Sequence, residues 1–200
     1  MKSATAKIGV LIEAHFDETE YRRFNEFFPA HGFSVEYLSH LWGQKALVFK
    51  SNDHELEATV ACELNDADLS QYRGLILIGG YAMDRLRYQE HPKRGEPNQA
   101  PAVRFLRKAV HAMDRGQLVI GTICHSLWLF CASPDLLRGR HVTCAHNILC
   151  DVEAAGGIVV YDGDQAADTH VDRGLVTGRH PGVVDPFLDV FLGEVTRIGS

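Results

Sequence analysis

The chain has 200 residues, of which 46% are hydrophobic and 23% charged, and its formal net charge is −6. This length and composition are typical of a globular protein with one core, so we predict a single domain over residues 1–200. A net negative charge disfavours nucleic acid and anionic membranes as partners, and no apolar run reaches the about 18 residues that a transmembrane helix needs.

The cysteines and histidines show no metal-ligand spacing. The five cysteines contain no CxxC pair and the eleven histidines no HExxH motif, so we predict neither a metal site nor a cofactor. An odd number of cysteines suits a reducing compartment. The N-terminal apolar run leads into acidic residues rather than a small-residue cleavage site, which indicates the first strand of a cytoplasmic protein.

Apolar runs alternate with helical patterns in the first half of the chain. A fully apolar run of this kind is typical of a buried parallel strand, and phenylalanines at helical spacing indicate a helix. We predict strands at 7–12, 33–39 and 74–80, a helix at 17–31, a hairpin at 47–59, and a polar loop or lid at 88–101.

The second half continues the alternation. We predict helices at 102–116, from residue 124 to about Ser133, at 147–157 and at 181–195, and strands at 117–123 and 158–163. Residues 169–178 form a predicted hairpin with Asp172, Arg173 and Gly174 at its tip.

Such alternation predicts an open, mainly parallel sheet with helices on both faces. Ligands of these sheets bind beyond the carboxyl ends of the strands. That rule brings the segments 13–20, 79–84 and 122–126 to one edge of the sheet, and we expect an active site there.

The stretch VIGTICHSLWLF, residues 119–130, places Cys124 and His125 at a strand-to-helix elbow. At the amino end of a helix, the dipole and free N–H groups favour a reactive thiolate. The amides of His125 and Gly80 are predicted donors to an oxyanion. Whether the His125 ring reaches the sulfur is left open. The other four cysteines are interpreted as core filling.

Several motifs resemble the PfpI/ThiJ superfamily of the class I glutamine amidotransferase-like fold. ICHSLWLF resembles its nucleophile elbow, LILIGGYAMDRLR its Gly-Gly segment and FDETEYRRF its acidic first-helix motif. The resemblance covers almost the whole chain and is closest to the PfpI-like intracellular protease branch. It implies a flavodoxin-like three-layer α/β/α sandwich.

The resemblance also assigns roles. It implies that Cys124 is the nucleophile, His125 the general acid/base, and Glu20 a carboxyl that hydrogen-bonds the sulfur while protonated. Asp84 occupies the position of an acid that completes a triad across a subunit interface, in a homodimer or a hexamer of dimers. The branch typically has glutamate there, and aspartate is one methylene shorter, so Asp84 is either this acid or a simple surface residue.

Further residues are candidates for the oxyanion site or the substrate pocket. Ser126 replaces a glycine that is frequent in the family, and with Trp128 it is expected to reshape the pocket. The remaining candidates are Gly79, Gly80, Tyr81, His15 and His180, with a scattered surface position as the alternative for both histidines and the tyrosine.

Three functions fit these observations. The first is a cysteine-dependent enzyme on small carbonyl or amide substrates, of glyoxalase III, deglycase or peptidase type. The second is a pathway-specific hydratase or lyase of the same superfamily, suggested by Asp84 and Ser126. The third is a non-enzymatic redox sensor or chaperone, because an accessible thiol of low pKa oxidises readily.

Overall fold

The computed structural model of the protein describes residues 6–198. The ends of the predicted domain, residues 1–5 and 199–200, lie outside the described residues. The helices are α1 Glu18–Ala30, α2 Ala82–Leu86, α3 Pro101–Asp114, α4 Trp128–Cys131, α5 Leu149–Ala154 and α6 Val184–Ile198. The strands are β1 Lys7–Leu11, β2 Ser34–Ser39, β3 Leu47–Lys50, β4 Glu57–Val60, β5 Cys62–Glu63, β6 Tyr72–Leu77, β7 Val119–Ile123, β8 His141–Val142, β9 Ile158–Val159, β10 Tyr161–Asp162, β11 Gln165–Ala166, β12 Thr169–Asp172 and β13 Leu175–Gly178.

Seven strands form the central sheet, in the order β12-β13-β7-β6-β1-β2-β5. Neighbouring strands are parallel except for the β12–β13 hairpin. Helices α1 and α6 pack on one face, and α3 and α4 pack on the other. This arrangement confirms the predicted flavodoxin-like three-layer sandwich, in which ligands bind at the carboxyl edge of the sheet.

Helix α6 packs closely against β6 and β7, in the middle of the sheet. A Cβ atom on Gly74 would lie 2.5 Å from the Phe191 ring, and one on Gly121 would lie 2.9 Å from both Phe187 and Phe191. These glycines therefore allow the two buried phenylalanines to pack directly on the backbone of β6 and β7. The close packing fixes the end of β7, from which the Cys124 elbow begins.

Both predicted hairpins are present. Strands β3 and β4 pair antiparallel, as do β12 and β13. The tip of the second hairpin has φ values of 50° at Arg173 and 85° at Gly174, and two successive positive φ angles are typical of a tight two-residue hairpin turn.

The structure differs from the predicted elements at several places. The helix expected from residue 124 to Ser133 is reduced to α4, because residues 124–127 form a turn and Pro134 cannot continue a helix. The single strand expected at 158–163 is split into β9 and β10, which pair with different partners. Helix α2 was not predicted, because five residues are too short to show a helical period.

Candidate active site

Cys124 lies directly after β7, in a left-handed backbone conformation with φ 59°. The backbone is fixed on both sides, because the Cys124 N–H donates to Gly178 at 3.0 Å and the Cys124 carbonyl accepts from the Ala145 N–H at 3.2 Å. A non-glycine residue in this conformation stores about 1–3 kcal/mol and is frequent at functional sites. The sharp bend is the predicted nucleophile elbow.

The hydroxyl of Ser126 holds this bend closed. It donates to the carbonyl of Ile123 at 2.8 Å and accepts from the N–H of the same residue at 2.7 Å. The side chain is fully buried, so its predicted place in the substrate pocket is wrong. Ser126 satisfies backbone groups that a glycine would leave to other partners.

Two main-chain amides lie close enough to the sulfur of Cys124 to lower the pKa of its thiol, those of Gly80 and His125. Gly80 has φ 71°, and a Cβ atom there would lie within 3 Å of the His15 carbonyl oxygen and of the Asp17 nitrogen. Only glycine fits this approach, which brings the Gly80 N–H to the sulfur. The two predicted donors thus meet at one atom.

Gly79 has a different role from the predicted one. Its N–H donates to Glu20 Oε2 at 2.6 Å and is therefore not free for a substrate oxygen. A Cβ atom on Gly79 would lie within 3 Å of both Glu20 carboxyl oxygens and of the Cys124 Cβ atom. Glu20 and Cys124 consequently adjoin each other across the Gly79 Cα atom.

Burial controls the protonation of this pair. Glu20 is completely buried. Desolvation, and then the negative charge of Asp17, raise the pKa of its carboxyl well above the usual value, although the hydrogen bond from the Gly79 N–H acts in the opposite direction. Its Oε1 atom is buried without a hydrogen-bond partner. Such surroundings favour the protonated carboxyl. The hydrogen bond that the family resemblance implied between Glu20 and the Cys124 sulfur is not formed, since Oε1 has no partner and Oε2 accepts from Gly79.

The expected low pKa of Cys124 is wrong for the protein without substrate. Burial, and then the Glu20 carboxyl, raise the pKa of the thiol to about 12, although the Gly80 and His125 amides act in the opposite direction. The helix that was expected to favour the thiolate is a single turn and begins only at Trp128. A resting thiol must therefore lose its proton to a base.

The imidazole of His125 is oriented by a residue that the sequence analysis missed. His125 Nε2 and Asn147 Oδ1 are 2.8 Å apart, and Nδ1 is buried without a partner. We assign the ring proton to Nε2, which leaves a lone pair on Nδ1. Asn147 lies in a one-turn 3₁₀ helix at 146–148, far along the chain, and no motif marks it.

Asp84 does not contact His125 within the chain. Its carboxylate accepts from Arg87, with distances of 2.9 Å to Nε and 2.5 Å to Nη2, and it is about half exposed. The Arg87 guanidinium lies 5.4 Å from the centre of the Trp128 ring. The role of Asp84 across a subunit interface stays a prediction.

Aromatic rings line the approach to His125. The ring of His125 lies 4.9 Å from Trp128 and 5.4 Å from Tyr81, measured between centres. The Trp128 Nε1–H donates to Asp151 at 2.9 Å, which fixes the indole. Trp128 therefore supports the imidazole from behind, while the half-exposed Tyr81 faces the pocket.

A pocket of about 300 Å³ opens over Cys124. His180 lines it, as predicted, and its Nδ1 accepts from the Gly182 N–H at 3.0 Å. His15 is not among the lining residues, because its ring packs against His54. The lining residues are Asp17, Asn52, Gly80, Tyr81, Cys124, His125, Ala145, His146, Asn147, His180 and Pro181.

Residues 6–198 contain neither a cluster of metal-ligating side chains nor a helix that could span a membrane. Within that part of the chain, no three His, Cys, Asp or Glu side chains are grouped so that they could hold a metal ion. No helix described there is long and apolar enough to cross a membrane.

Comparison with known proteins decides the family. The profile of the DJ-1/PfpI family matches residues 6–194. The chain belongs to the DJ-1/PfpI family. This membership confirms the resemblance to PfpI and ThiJ proteins that the elbow, the Gly-Gly segment and the first helix indicated.

Individual family members are distant in sequence. A putative cysteine protease of Bacillus subtilis, YraA, is 27% identical over 182 residues, which cover 90% of this chain and 93% of that protein. An uncharacterised protein of Staphylococcus haemolyticus is also 27% identical, over 92% of this chain and 94% of its own length.

Solved structures of the family share the fold. A ThiJ/PfpI domain protein of Brachyspira murdochii is 13% identical with a TM-score of 0.76, over 98% of this chain and 99% of that one. A two-domain protein of Anabaena variabilis, with DJ-1/ThiJ/PfpI-like and ferritin-like domains, is 26% identical with a TM-score of 0.75. The match covers 96% of this chain and 48% of that protein, so the chain spans about half of its length.

Proposed function

We propose that this DJ-1/PfpI protein is a cysteine-dependent enzyme that acts on small carbonyl or amide compounds, with Cys124 as the nucleophile. The observation that supports this most strongly is the left-handed Cys124 at the carboxyl edge of the sheet, with the N–H groups of Gly80 and His125 near its sulfur. Donors at this position can also hold the oxygen of a carbonyl that the sulfur attacks. The pocket of about 300 Å³ suits a small substrate better than a folded protein.

The proton and electron movements follow from the neighbouring groups. Since the pKa of the thiol is raised, attack begins with loss of the S–H proton to a base. We assign this role to the lone pair of His125 Nδ1, which makes no hydrogen bond to the sulfur or to any other group before substrate binds. The sulfur then forms a bond to the carbonyl carbon, and the C=O electron pair moves to the oxygen beside the Gly80 and His125 amides. The protonated Glu20 next to the sulfur adds no negative charge to this step.

With an amide substrate, the intermediate collapses and expels the amine, which takes the proton from His125. Water then hydrolyses the thioester, releasing the acid and restoring the thiol. With an oxoaldehyde the first product is a hemithioacetal on the same sulfur. The two substrates share the first bond-forming step, so both depend on Cys124 and on its amide donors.

One observation favours the hydratase or lyase alternative. His125 faces the neutral amide of Asn147, and Asp84 is bonded to Arg87, so within the chain no carboxylate partners the imidazole. An uncharged orienting group stabilises the imidazolium less than a carboxylate would. A redox sensor receives less support, because Cys124 is buried and its pKa is raised. A homo-oligomer, a triad completed by Asp84 of another subunit and a cytoplasmic location remain predictions.

A substrate panel with matched cysteine variants tests the proposal. Methylglyoxal, aminopeptidase substrates and isonitriles are assayed with the wild type, Cys124→Ser and Cys131→Ser. We expect turnover of a carbonyl or amide compound that falls at least 1000-fold in Cys124→Ser, on the order of a lost nucleophile, and stays within about twofold in Cys131→Ser. Turnover of isonitriles alone would favour the hydratase or lyase. Peroxide modification of Cys124 in a protein that turns over nothing would contradict both enzymes.

A further inference from the structure

A second cavity, of about 550 Å³, adjoins the pocket over Cys124. The two cavities share three lining residues, Ala145, His146 and His180. Because both cavities are open to solvent and meet at these residues, a ligand with its reacting carbon at Cys124 can extend over them into the second cavity. We call this second cavity the side cavity.

The side cavity combines apolar side chains with one solvent-exposed acid, Asp164, and one arginine, Arg179. Leu149, Ala166 and Val183 line it, and Leu149 packs against the hydrophobic core. Its cation, Arg179, is ion-paired with Asp168 and donates to Gln165 at 2.5 Å. An anionic group would therefore find no free counter-charge on Arg179, and the solvent-exposed Asp164 would attract a cation only weakly, whereas an apolar group would be removed from water.

His180 lies at the boundary between the two cavities. Its Nδ1 accepts from the Gly182 N–H at 3.0 Å, so the neutral ring carries its proton on Nε2. Nε2–H is therefore the remaining hydrogen-bond donor of a ring that lines both cavities. An amide or ketone oxygen that joins the two halves of a substrate is the kind of group such a donor recognises.

We propose that the side cavity binds an uncharged apolar substituent, aryl or branched aliphatic, of the molecule whose carbonyl carbon reacts at Cys124. This inference rests on the proposed function and narrows its substrate class. A molecule as small as methylglyoxal leaves the side cavity empty and gains none of its apolar contacts. The preferred substrates are therefore carbonyl or amide compounds with a bulky apolar side.

Labelling of Cys124 measures this preference without any turnover. Purified full-length protein is treated with 2-chloroacetamide or N-benzyl-2-chloroacetamide, and each rate, read by intact-protein mass spectrometry and peptide mapping, is divided by the rate with glutathione. We expect the normalised rate with the benzyl reagent to be about tenfold higher, the lower range for an apolar group in a matching pocket, and to saturate with concentration.

Two substitutions should abolish the preference. Ala166→Phe fills the side cavity, and Leu149→Asn makes its wall polar while keeping four side-chain heavy atoms branched at Cγ. Each should reduce the benzyl preference to twofold or less and leave the chloroacetamide rate within twofold. Leu69→Asn is the matched control, because Leu69 is also partly buried against the core but lines a separate cavity of about 520 Å³. It should keep the tenfold preference.

Thermal melting first establishes that each variant is folded. Because two independent substitutions are used, the test still works if one variant does not fold. Equal normalised rates in the wild type would overturn the inference, as would a preference that survives both Ala166→Phe and Leu149→Asn. Either result leaves the role of Cys124 intact. Absence of labelling at Cys124 by both reagents would instead contradict the proposed function, and the inference with it.

Discussion

Replacing Gly79 by alanine places a methyl group between Glu20 and Cys124. The Cβ atom would lie within 3 Å of both carboxyl oxygens of Glu20 and of the Cys124 Cβ atom. The side chains of Glu20 and Cys124 are both buried, and the Gly79 N–H also donates to Glu20 Oε2 at 2.6 Å. The added carbon cannot be accommodated unless the carboxyl or the elbow moves.

The size of the effect follows from that overlap. Carbon and oxygen atoms in contact prefer separations near 3.5 Å, so the carboxyl or the sulfur must shift by on the order of 1 Å. Overpacking of this kind costs about 1–3 kcal/mol of unfolding free energy. A 1 Å misplacement of a reacting group costs about 100-fold in rate. We expect both losses in Gly79→Ala.

Gly193→Ala is the matched control. Gly193 lies in α6, and a Cβ atom there meets nothing within 4 Å. Alanine should therefore stabilise the helix by about 0.5–1 kcal/mol and leave the site unchanged. Urea denaturation and the rate of Cys124 alkylation by iodoacetamide measure both variants. A Gly79→Ala protein that is alkylated within twofold of the wild-type rate would refute the placement of Glu20 against Cys124.

Three further predictions concern the protonation and orientation of the site. Because the pKa of Glu20 is raised in the folded protein, the unfolded chain releases this proton at lower pH. The unfolding free energy therefore falls by about 1.4 kcal/mol per pH unit above about pH 4.3. Glu20→Gln removes this loss. Urea titrations at pH 4.5 to 7 should therefore show that the unfolding free energy of the variant increases with pH relative to that of the wild type. A difference that is constant with pH would contradict the assignment. Because the pKa of Cys124 is about 12, its alkylation rate should rise about tenfold per unit from pH 7 to 10, and a plateau below pH 8 would show a thiolate at rest. Asn147→Ala frees the His125 ring and should lower kcat about 10- to 100-fold with little change in KM, whereas Asp84→Asn should do so only if Asp84 acts on another subunit.

The main features of the fold could be predicted because they depend on local patterns. The apolar runs before Cys124 and Gly79 indicate buried parallel strands. The carboxyl ends of such strands lie at the same edge of the sheet, independently of the conformation of the loops. The elbow follows from that topology, and so do the Gly80 and His125 donors. The family resemblance added Glu20, a buried acid that no pattern in its helix distinguishes from a surface residue.

The rest of the site depends on contacts that the sequence does not show. Asn147 reaches His125 only because a later turn passes over the elbow. Ser126 was expected in the pocket, but two hydrogen bonds between its hydroxyl and the backbone of Ile123 hold it inside the bend. The raised pKa of Cys124 results from burial and from the carboxyl of Glu20, which a helix distant in sequence brings to the site. These outcomes are set by tertiary packing, which residue spacing does not encode.

The most direct test of the central claim is rapid quenching of a single turnover, followed by mass spectrometry of the intact protein and of its peptides. The best carbonyl or amide substrate of the panel is mixed with excess protein and stopped in acid within the first turnover. The account predicts a covalent adduct on Cys124, in the wild type and in Cys131→Ser alike. Turnover at an undiminished rate in Cys124→Ser, or an adduct on another residue, would contradict it.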